Sequence, residues 1–220
     1  MARNGPFHAG TLHCQAVLFD LDGVLVDSMP LIHRVLRDWA AGHGLDPDHV
    51  VARSHGMRDV DLVRAVAPEL DAAAEARRIA RREEHDFTGI RPVAGAAELL
   101  AALPAHRWAI VTSGTRAVAR GRLRASGLPR PRHLVAADDV ARGKPAPDGY
   151  LRAAGLLGVE PGRCVVVEDA PGGARAAAAA GMACVGVGGA VPRTEVVRSL
   201  ADLCGLVAVP EDGGLRLRFR

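Results

Sequence analysis

The chain has 220 residues and a net charge of +3, and 49% of its residues are hydrophobic. This length and hydrophobic fraction suffice for an α/β domain, with or without a smaller insert. Only 3% of the residues are aromatic, so the core must be mainly Ala, Val and Leu. The two arginine-rich stretches, 77–82 and 116–132, contain no aromatic residue, so we expect no nucleic-acid partner. No apolar run reaches the length of a membrane span, the first residues lack the apolar segment of a signal peptide, and none of the four cysteines forms a C-x-x-C pair, so we expect a cytoplasmic protein without a membrane partner.

The first predicted element is a short strand, "AVLF" at 16–19, whose apolar residues suit a strand that is buried on both faces. From Ser28 to about Thr88 three helical patterns then follow one another without an intervening strand. Their sequences are "SMPLIHRVLRDWAAGHG", "RDVDLVRAVAPEL" and "DAAAEARRIARREEHDF". We expect Ser28 to cap the first of these helices. The block 29–90 is therefore predicted to be an all-α cap, inserted just after the first strand.

From residue 91 onward, predicted helices and strands alternate. The helices lie within 92–103, 115–127, 147–158 and 172–181, and the strands within 107–114, 133–140, 163–169 and 183–188. Such alternation is typical of a Rossmann-like, doubly wound parallel sheet, and so the predicted fold class is α/β. The predicted organisation is an α/β core at 12–28 and 91–210, the inserted cap at 29–90, a flexible tail at 1–11, and a terminal hairpin strand or tail at 211–220.

Four separate segments place polar side chains at the carboxyl ends of the predicted strands, where open parallel sheets bind their ligands. These residues are Asp20 and Asp22, then Thr112, Ser113 and Gly114, then Lys144, and finally Glu168 and Asp169. Gathered carboxylates repel one another unless a cation offsets their charge, and oxygen ligands without an imidazole favour Mg²⁺. Lys144 is the only lysine of the chain, and it would supply a compact positive charge.

These segments resemble the four motifs of the haloacid dehalogenase (HAD) superfamily of phosphatases, over roughly residues 16–210. The motifs are "DLDG" (20–23), "TSG" (112–114), "GKPAPD" (143–148) and "VVVEDAPGG" (165–173). Together with "SHGMRD" (54–59), the chain looks most similar to bacterial sugar phosphatases and glycerol-phosphate phosphatases with a small helical cap. The resemblance implies a Mg²⁺-dependent phosphomonoesterase that hydrolyses small sugar or polyol phosphates through an aspartyl-phosphate intermediate. We expect it to be a monomer or a weak homodimer.

The resemblance also implies roles for the carboxylates. Asp20 would attack phosphorus, and Asp22 would protonate the departing alkoxide and then accept a proton from the attacking water. Asp20, the backbone carbonyl of Asp22 and Asp169 would bind Mg²⁺. Glu168 would lie close by or contact the metal directly.

The remaining motif residues are implied to hold the substrate. Those expected to bind the phosphoryl group are Ser113, Gly114 and Lys144. Those expected in a cap loop that faces the substrate are His55, Gly56 and Arg58. A solvent-facing Arg58 is equally consistent with the sequence, and His55 fits an ordinary loop histidine as well.

Two alternatives to a phosphatase stay open on sequence alone. A sugar-phosphate mutase similar to β-phosphoglucomutase would share the same core, although related mutases usually carry basic cap residues, often lysine, and this cap has only arginines. A non-catalytic metal-binding scaffold of the same fold is the second alternative, but it would be expected to have lost Asp20 or Asp22. Release of free phosphate without a bisphosphate primer separates a phosphatase from a mutase.

Overall fold

The structure is a computed structural model that describes residues 7–8 and 10–220. In chain order, the strands are β1 (Phe7–His8), β2 (Thr11–Cys14), β3 (Ala16–Phe19), β4 (Val26–Asp27), β5 (Arg91–Pro92), β6 (Trp108–Val111), β7 (Leu134–Val135), β8 (Cys164–Glu168), β9 (Ala183–Val187), β10 (Arg198–Leu200), β11 (Leu206–Glu211) and β12 (Gly214–Phe219). The α-helices are α1 (Met29–Gly42), α2 (Pro47–Ser54), α3 (Asp59–Val66), α4 (Ala72–His85), α5 (Ala96–Ala102), α6 (Arg116–Ala125), α7 (Asp148–Leu157) and α8 (Pro171–Ala179).

The centre of the fold is a six-stranded sheet in the order β10–β9–β8–β3–β6–β7, in which every neighbouring pair is parallel. Side chains along β3 alternate between the two faces of this sheet. Phe19 joins one hydrophobic core with residues of α5 and α6, and Leu18 joins a second core with residues of α7 and α8. Helices on both faces of a parallel sheet confirm the predicted doubly wound α/β core.

Helices α1 to α4, called the cap below, lie between β4 and β5 and enclose a hydrophobic core of their own. This core includes Leu31, Val35, Leu36, Trp39, Val50, Leu62, Val63 and Ile79. Because β4 pairs antiparallel with β5, the chain enters and leaves the cap along adjacent strands. The cap also packs on α6, where Gly121 leaves room for the ring of Phe87; an added Cβ would lie 2.6 Å from the ring.

The segment after α1 forms a helix that the sequence pattern does not predict. Asp46 accepts hydrogen bonds from two backbone N–H groups of the first turn of α2, and Pro47 occupies a position where a missing N–H costs nothing. The cap therefore consists of four helices instead of the three that the hydrophobic pattern indicates.

Ser28 precedes α1 as predicted, but its side chain does not cap the helix. Its hydroxyl donates to Oδ1 of Asp22 at 2.6 Å instead. The expectation that Ser28 serves the helix is therefore wrong, because a buried carboxylate lies within its reach and the hydroxyl binds that group.

A second, antiparallel sheet in the order β1–β2–β12–β11 brings both ends of the chain together. Leu12, Leu215 and Leu217 face inward from it and extend the first core. Most of the predicted flexible tail, 1–11, lies outside the described residues, and its described part contributes β1 and the start of β2. In the part of the chain that the structure describes, no helix has the length and apolarity needed to cross a bilayer.

Candidate active site

Three strands of the central sheet end at the candidate site. Asp20 follows β3, Thr112 follows β6, and Asp169 follows β8. Because β3 lies between β6 and β8, the carboxyl ends of these strands are adjacent. A cavity of about 60 Å³ separates this edge of the sheet from the cap, and it is lined from the sheet side by Asp20, Asp22, Ser113, Gly114 and Asp169.

Lys144 reaches the same edge from the loop before α7. Its ammonium donates to Oδ1 of Asp20 at 2.5 Å and to Oε1 of Glu168 at 2.6 Å, and only 6% of its side chain is exposed. Burial disfavours the ammonium, but the two carboxylates outweigh burial and raise the pKa of Lys144 above its usual value. Lys144 is therefore a fixed positive charge beside Asp20.

Glu168 is fully buried and all of its acceptor directions are in use. Oε1 accepts from Lys144 and from the hydroxyl of Tyr150 at 2.8 Å, and Oε2 accepts from the backbone N–H groups of Asp169 and Ala170 at 2.9 and 3.0 Å. Gly173 on α8 faces this carboxylate so closely that an added Cβ would overlap it. Glu168 thus anchors Lys144, and it keeps no free oxygen for a metal ion.

The carboxylates at this edge fit a hard divalent cation. Asp20, Glu168 and Asp169 can each bring one oxygen within 4.8 Å of the others. Since Glu168 is saturated, Asp20 and Asp169 are the members with spare acceptors, and carboxylate oxygens are the ligands that Mg²⁺ prefers. Burial raises the pKa of Asp20 well above its usual value; Lys144 opposes this shift, and the neighbouring acids reinforce it. Burial also raises the pKa of Asp169, so a cation would offset charge that the protein leaves uncompensated.

Gly23 allows Asp169 to occupy its position. Its φ of +78° is one that residues with a side chain rarely adopt, and an added Cβ would overlap the carboxylate of Asp169. Glycine is therefore required at this position of the "DLDG" motif for two reasons: the backbone conformation of the turn and the close approach of Asp169.

Asp22 points to a different set of partners from those of Asp20. Its Oδ1 accepts from Ser28 at 2.6 Å and contacts Nη1 of Arg122 at 2.7 Å. Its Oδ2 has only a long contact, 3.4 Å, from the hydroxyl of Thr112. One oxygen of Asp22 is therefore fixed by two donors, and the other is left for a ligand.

Arg122, Ser28 and Glu83 are site residues that the sequence reasoning missed. Arg122 is only 1% exposed and lies on the face of α6 that also buries Val118 and Ala119, one turn before it. A lone arginine on the apolar face of a predicted helix is the signal that would have found it, because a buried guanidinium requires acidic partners. No comparable pattern marks Ser28, whose sequence position suits a helix cap.

The cap loop at 54–59 contacts the sheet side of the cavity through two of its predicted residues. Nε2 of His55 lies 2.8 Å from Oδ2 of Asp169, and the hydroxyl of Ser113 donates to the carbonyl of Gly56 at 2.8 Å. The hydrogen bond with Asp169 raises the pKa of His55. The structure thus places His55 and Gly56 at the site, directly against the motif residues.

Arg58, the third predicted residue of this loop, turns away from the cavity. Its guanidinium binds Asp61 at 2.6 Å and donates to the carbonyls of Val140 and Ala141, each at 3.2 Å. Its stem packs on Gly143, where an added Cβ would lie 2.6 Å from Nε. Arg58 therefore ties the cap to the loop that carries Lys144.

Comparisons with known proteins show which family this chain resembles. The family model for haloacid dehalogenase-like hydrolases matches residues 14–181. Hexitol phosphatase A of Escherichia coli (strain K12) is 47% identical over 175 residues, which are 77% of this chain and 81% of that enzyme. Glycerol-1-phosphate phosphohydrolase 2 of Saccharomyces cerevisiae is 34% identical over 190 residues, 80% of this chain and 76% of that protein. The crystal structure of a hydrolase from Pseudomonas syringae superimposes with a TM-score of 0.74 at 27% identity, covering 86% of this chain and 94% of that one.

Proposed function

The chain belongs to the haloacid dehalogenase-like hydrolases, and from that premise we propose that it is a Mg²⁺-dependent phosphomonoesterase of small sugar or polyol phosphates. The observation that carries the proposal is the convergence of Asp20, Asp169 and the buried ammonium of Lys144 beside one cavity. Relatives named as hexitol and glycerol-1-phosphate phosphatases support the substrate class.

The first half-reaction forms a covalent intermediate. An oxygen of Asp20 attacks phosphorus, the bond from phosphorus to the ester oxygen breaks, and the phosphoryl group is held as an aspartyl-phosphate. Oδ2 of Asp22 gives a proton to the departing alkoxide, while Ser28 and Arg122 keep Oδ1 in place. The product of this step is the free sugar or polyol.

The second half-reaction releases inorganic phosphate. Water attacks the phosphorus of the intermediate, Oδ2 of Asp22 accepts its proton, and the carboxylate of Asp20 is regenerated. Lys144 lies beside Asp20 in both steps and compensates the negative charge of the phosphoryl oxygens. Ser113 and Gly114 line the cavity; to bind those oxygens, the hydroxyl of Ser113 exchanges the carbonyl of Gly56, and the N–H of Gly114 exchanges Oγ1 of Thr112, for the phosphoryl group.

The residues that would hold Mg²⁺ are Asp20, Asp169 and the backbone carbonyl of Asp22. When bound, the cation supplies electrostatic stabilisation of the phosphoryl group as its charge is redistributed. We assign Glu168 to Lys144 and not to the cation, because both of its oxygens already accept hydrogen bonds.

A panel of phosphate monoesters tests the proposal, with released phosphate measured in Mg²⁺, after treatment with EDTA, and after Mg²⁺ is restored. We expect hydrolysis of sugar or polyol monophosphates that does not require a bisphosphate primer and that EDTA abolishes reversibly. Asp20→Asn should release no phosphate and should keep the fold, as judged by circular dichroism. Near-normal turnover in that variant would remove Asp20 as the nucleophile, and isomerisation in place of phosphate release would favour the mutase.

A further inference from the structure

Two cap carboxylates face the cavity from the side opposite the motif residues. Asp59 begins α3 and Glu83 lies in the last turns of α4, and both line the same cavity as Asp20 and Asp22. The apolar part of the lining is also from the cap, and it includes Met29, Ile32 and Leu36. The cap side of the cavity is therefore lined by acids and hydrocarbon.

Arg122 is the cation that these acids share. Its Nη1 contacts Asp22 at 2.7 Å and its Nη2 lies 3.1 Å from Oε2 of Glu83, while its charge also acts on Asp59. Arg122 is 1% exposed, and its Nε has no hydrogen-bond partner among the residues that the structure describes. A buried donor without a partner is costly, so a ligand that completes this hydrogen bond would be favoured at this wall of the cavity.

The charge of this wall excludes one class of ligand. Asp22, Glu83 and Asp59 place three carboxyl groups around a single guanidinium. A second phosphate or a carboxylate at this position would meet like charge in a confined space. Hydroxyl groups suit it better, because each can donate to a carboxylate oxygen, and one of them can accept from the free Nε–H of Arg122.

We infer that Asp59 and Glu83, together with Arg122, bind the hydroxyl groups of an uncharged polyol leaving group and reject leaving groups that carry a second anion. This inference rests on the proposed function, and it assigns the specificity of that same site to Asp59, the last residue of the "SHGMRD" segment, and to Glu83 of α4. Hydrogen bonds to a charged acceptor are about twice as strong as neutral ones. Neutralising either acid should therefore lower kcat/KM for a polyol phosphate by roughly tenfold.

The test compares three phosphate esters: sorbitol 6-phosphate, whose leaving group is a polyol; 4-nitrophenyl phosphate, whose leaving group has no further hydroxyl; and fructose 1,6-bisphosphate, whose leaving group is anionic. Asp59→Asn and Glu83→Gln should each lower kcat/KM for sorbitol 6-phosphate relative to 4-nitrophenyl phosphate by about tenfold. Both variants should also raise the kcat/KM for fructose 1,6-bisphosphate relative to that for sorbitol 6-phosphate by at least about tenfold. The ratio of the two alkyl phosphates separates binding from any effect that Glu83 exerts through Arg122 on Asp22, because both have alkoxide leaving groups that Asp22 must protonate, whereas 4-nitrophenolate leaves without that proton.

Glu69→Gln is the matched control. Glu69 is an exposed glutamate in the cap turn between α3 and α4 and does not line the cavity, so its three kcat/KM values should match those of the unmodified protein. If Glu83→Gln fails to fold, Asp59→Asn gives the same test from the partly exposed start of α3.

The outcomes distinguish failure of the proposed phosphatase function from failure of the inferred specificity. Hydrolysis of none of the three esters by the unmodified protein contradicts the proposed function itself. Two results would contradict the inference but not the phosphatase function. One is hydrolysis of 4-nitrophenyl phosphate by the unmodified protein with no preference for sorbitol 6-phosphate. The other is an equal loss of kcat/KM on both esters in both variants.

Discussion

Gly173→Ala is the substitution that most directly tests how the site is held together. Gly173 lies in the first turn of α8, and an added Cβ would overlap Oε1 and Cδ of Glu168 and lie 2.6 Å from its Oε2. Glu168 is completely buried, so its carboxylate has no open space to move into. One methyl group therefore forces the carboxylate away from Lys144 or α8 away from the sheet.

The cost follows from the bonds that Glu168 makes. It accepts from the ammonium of Lys144, the hydroxyl of Tyr150 and two backbone N–H groups. Disrupting a buried ion pair costs about 3–5 kcal/mol. For a chain of this length, such a loss lowers Tm by roughly 6–20 °C. We also expect kcat to fall, because Lys144 then lacks the partner that fixes it beside Asp20.

Urea and thermal unfolding, followed by circular dichroism, measure the stability, and phosphate release measures the activity. Gly172→Ala is the control: it is the preceding residue of the same helical turn, and nothing lies within 4 Å of an added Cβ. Because alanine favours a helix over glycine by up to about 1 kcal/mol, this control should be neutral or slightly stabilising. If Gly173→Ala is as stable and active as Gly172→Ala, Glu168 is not the anchor described above.

Two further predictions concern the cap. Arg58→Met removes the tie between the cap and the 140–144 loop, so kcat/KM should fall by about tenfold for sorbitol 6-phosphate and 4-nitrophenyl phosphate alike; a loss confined to the sugar phosphate would instead show that Arg58 contacts the sugar. On the cap surface, Arg34 donates to Asp86 and lowers the pKa of that carboxyl to about 2 from an ordinary 3.8. Because the pKa of Asp86 is lower in the folded protein than its ordinary value, the ion pair stabilises the fold at pH values above that ordinary value. This contribution to the free energy of unfolding is lost as the pH falls towards 2, and because the pair is exposed, it should stay below about 1 kcal/mol. Urea unfolding at neutral pH and near pH 3 should show the difference between Asp86→Asn and the unmodified protein shrinking with acid, and a difference that is constant across this range would contradict the assignment.

The sequence predicts the central sheet well because its strands are short apolar runs that end in polar motif residues. β3, β6 and β8 all have this form, and their parallel arrangement follows from the helices between them. Glycines and prolines of the connecting loops mark where each element ends. The candidate site follows from the same rule, since it lies where those strands end.

What the sequence does not predict depends on contacts between distant segments. The second sheet joins β2 to β12 across 200 residues of chain, and no local pattern specifies that pairing. Ser28 was expected to cap α1, and only the approach of Asp22 in three dimensions redirects its hydroxyl. Arg122 carries a local signal, but its partners Asp22 and Glu83 come from the core and from the cap. Side-chain pairing across two layers cannot be inferred from the spacing within either.

The enclosure of the chain's one lysine has a practical consequence for labelling chemistry. Reagents that acylate primary amines find no lysine on the surface of the folded protein, since Lys144 is held between Asp20 and Glu168 with 6% of its side chain exposed. No other side chain of this sequence carries a primary amine that would compete for such a reagent. Slow acylation of Lys144 over hours would then record how often the folded protein exposes its interior.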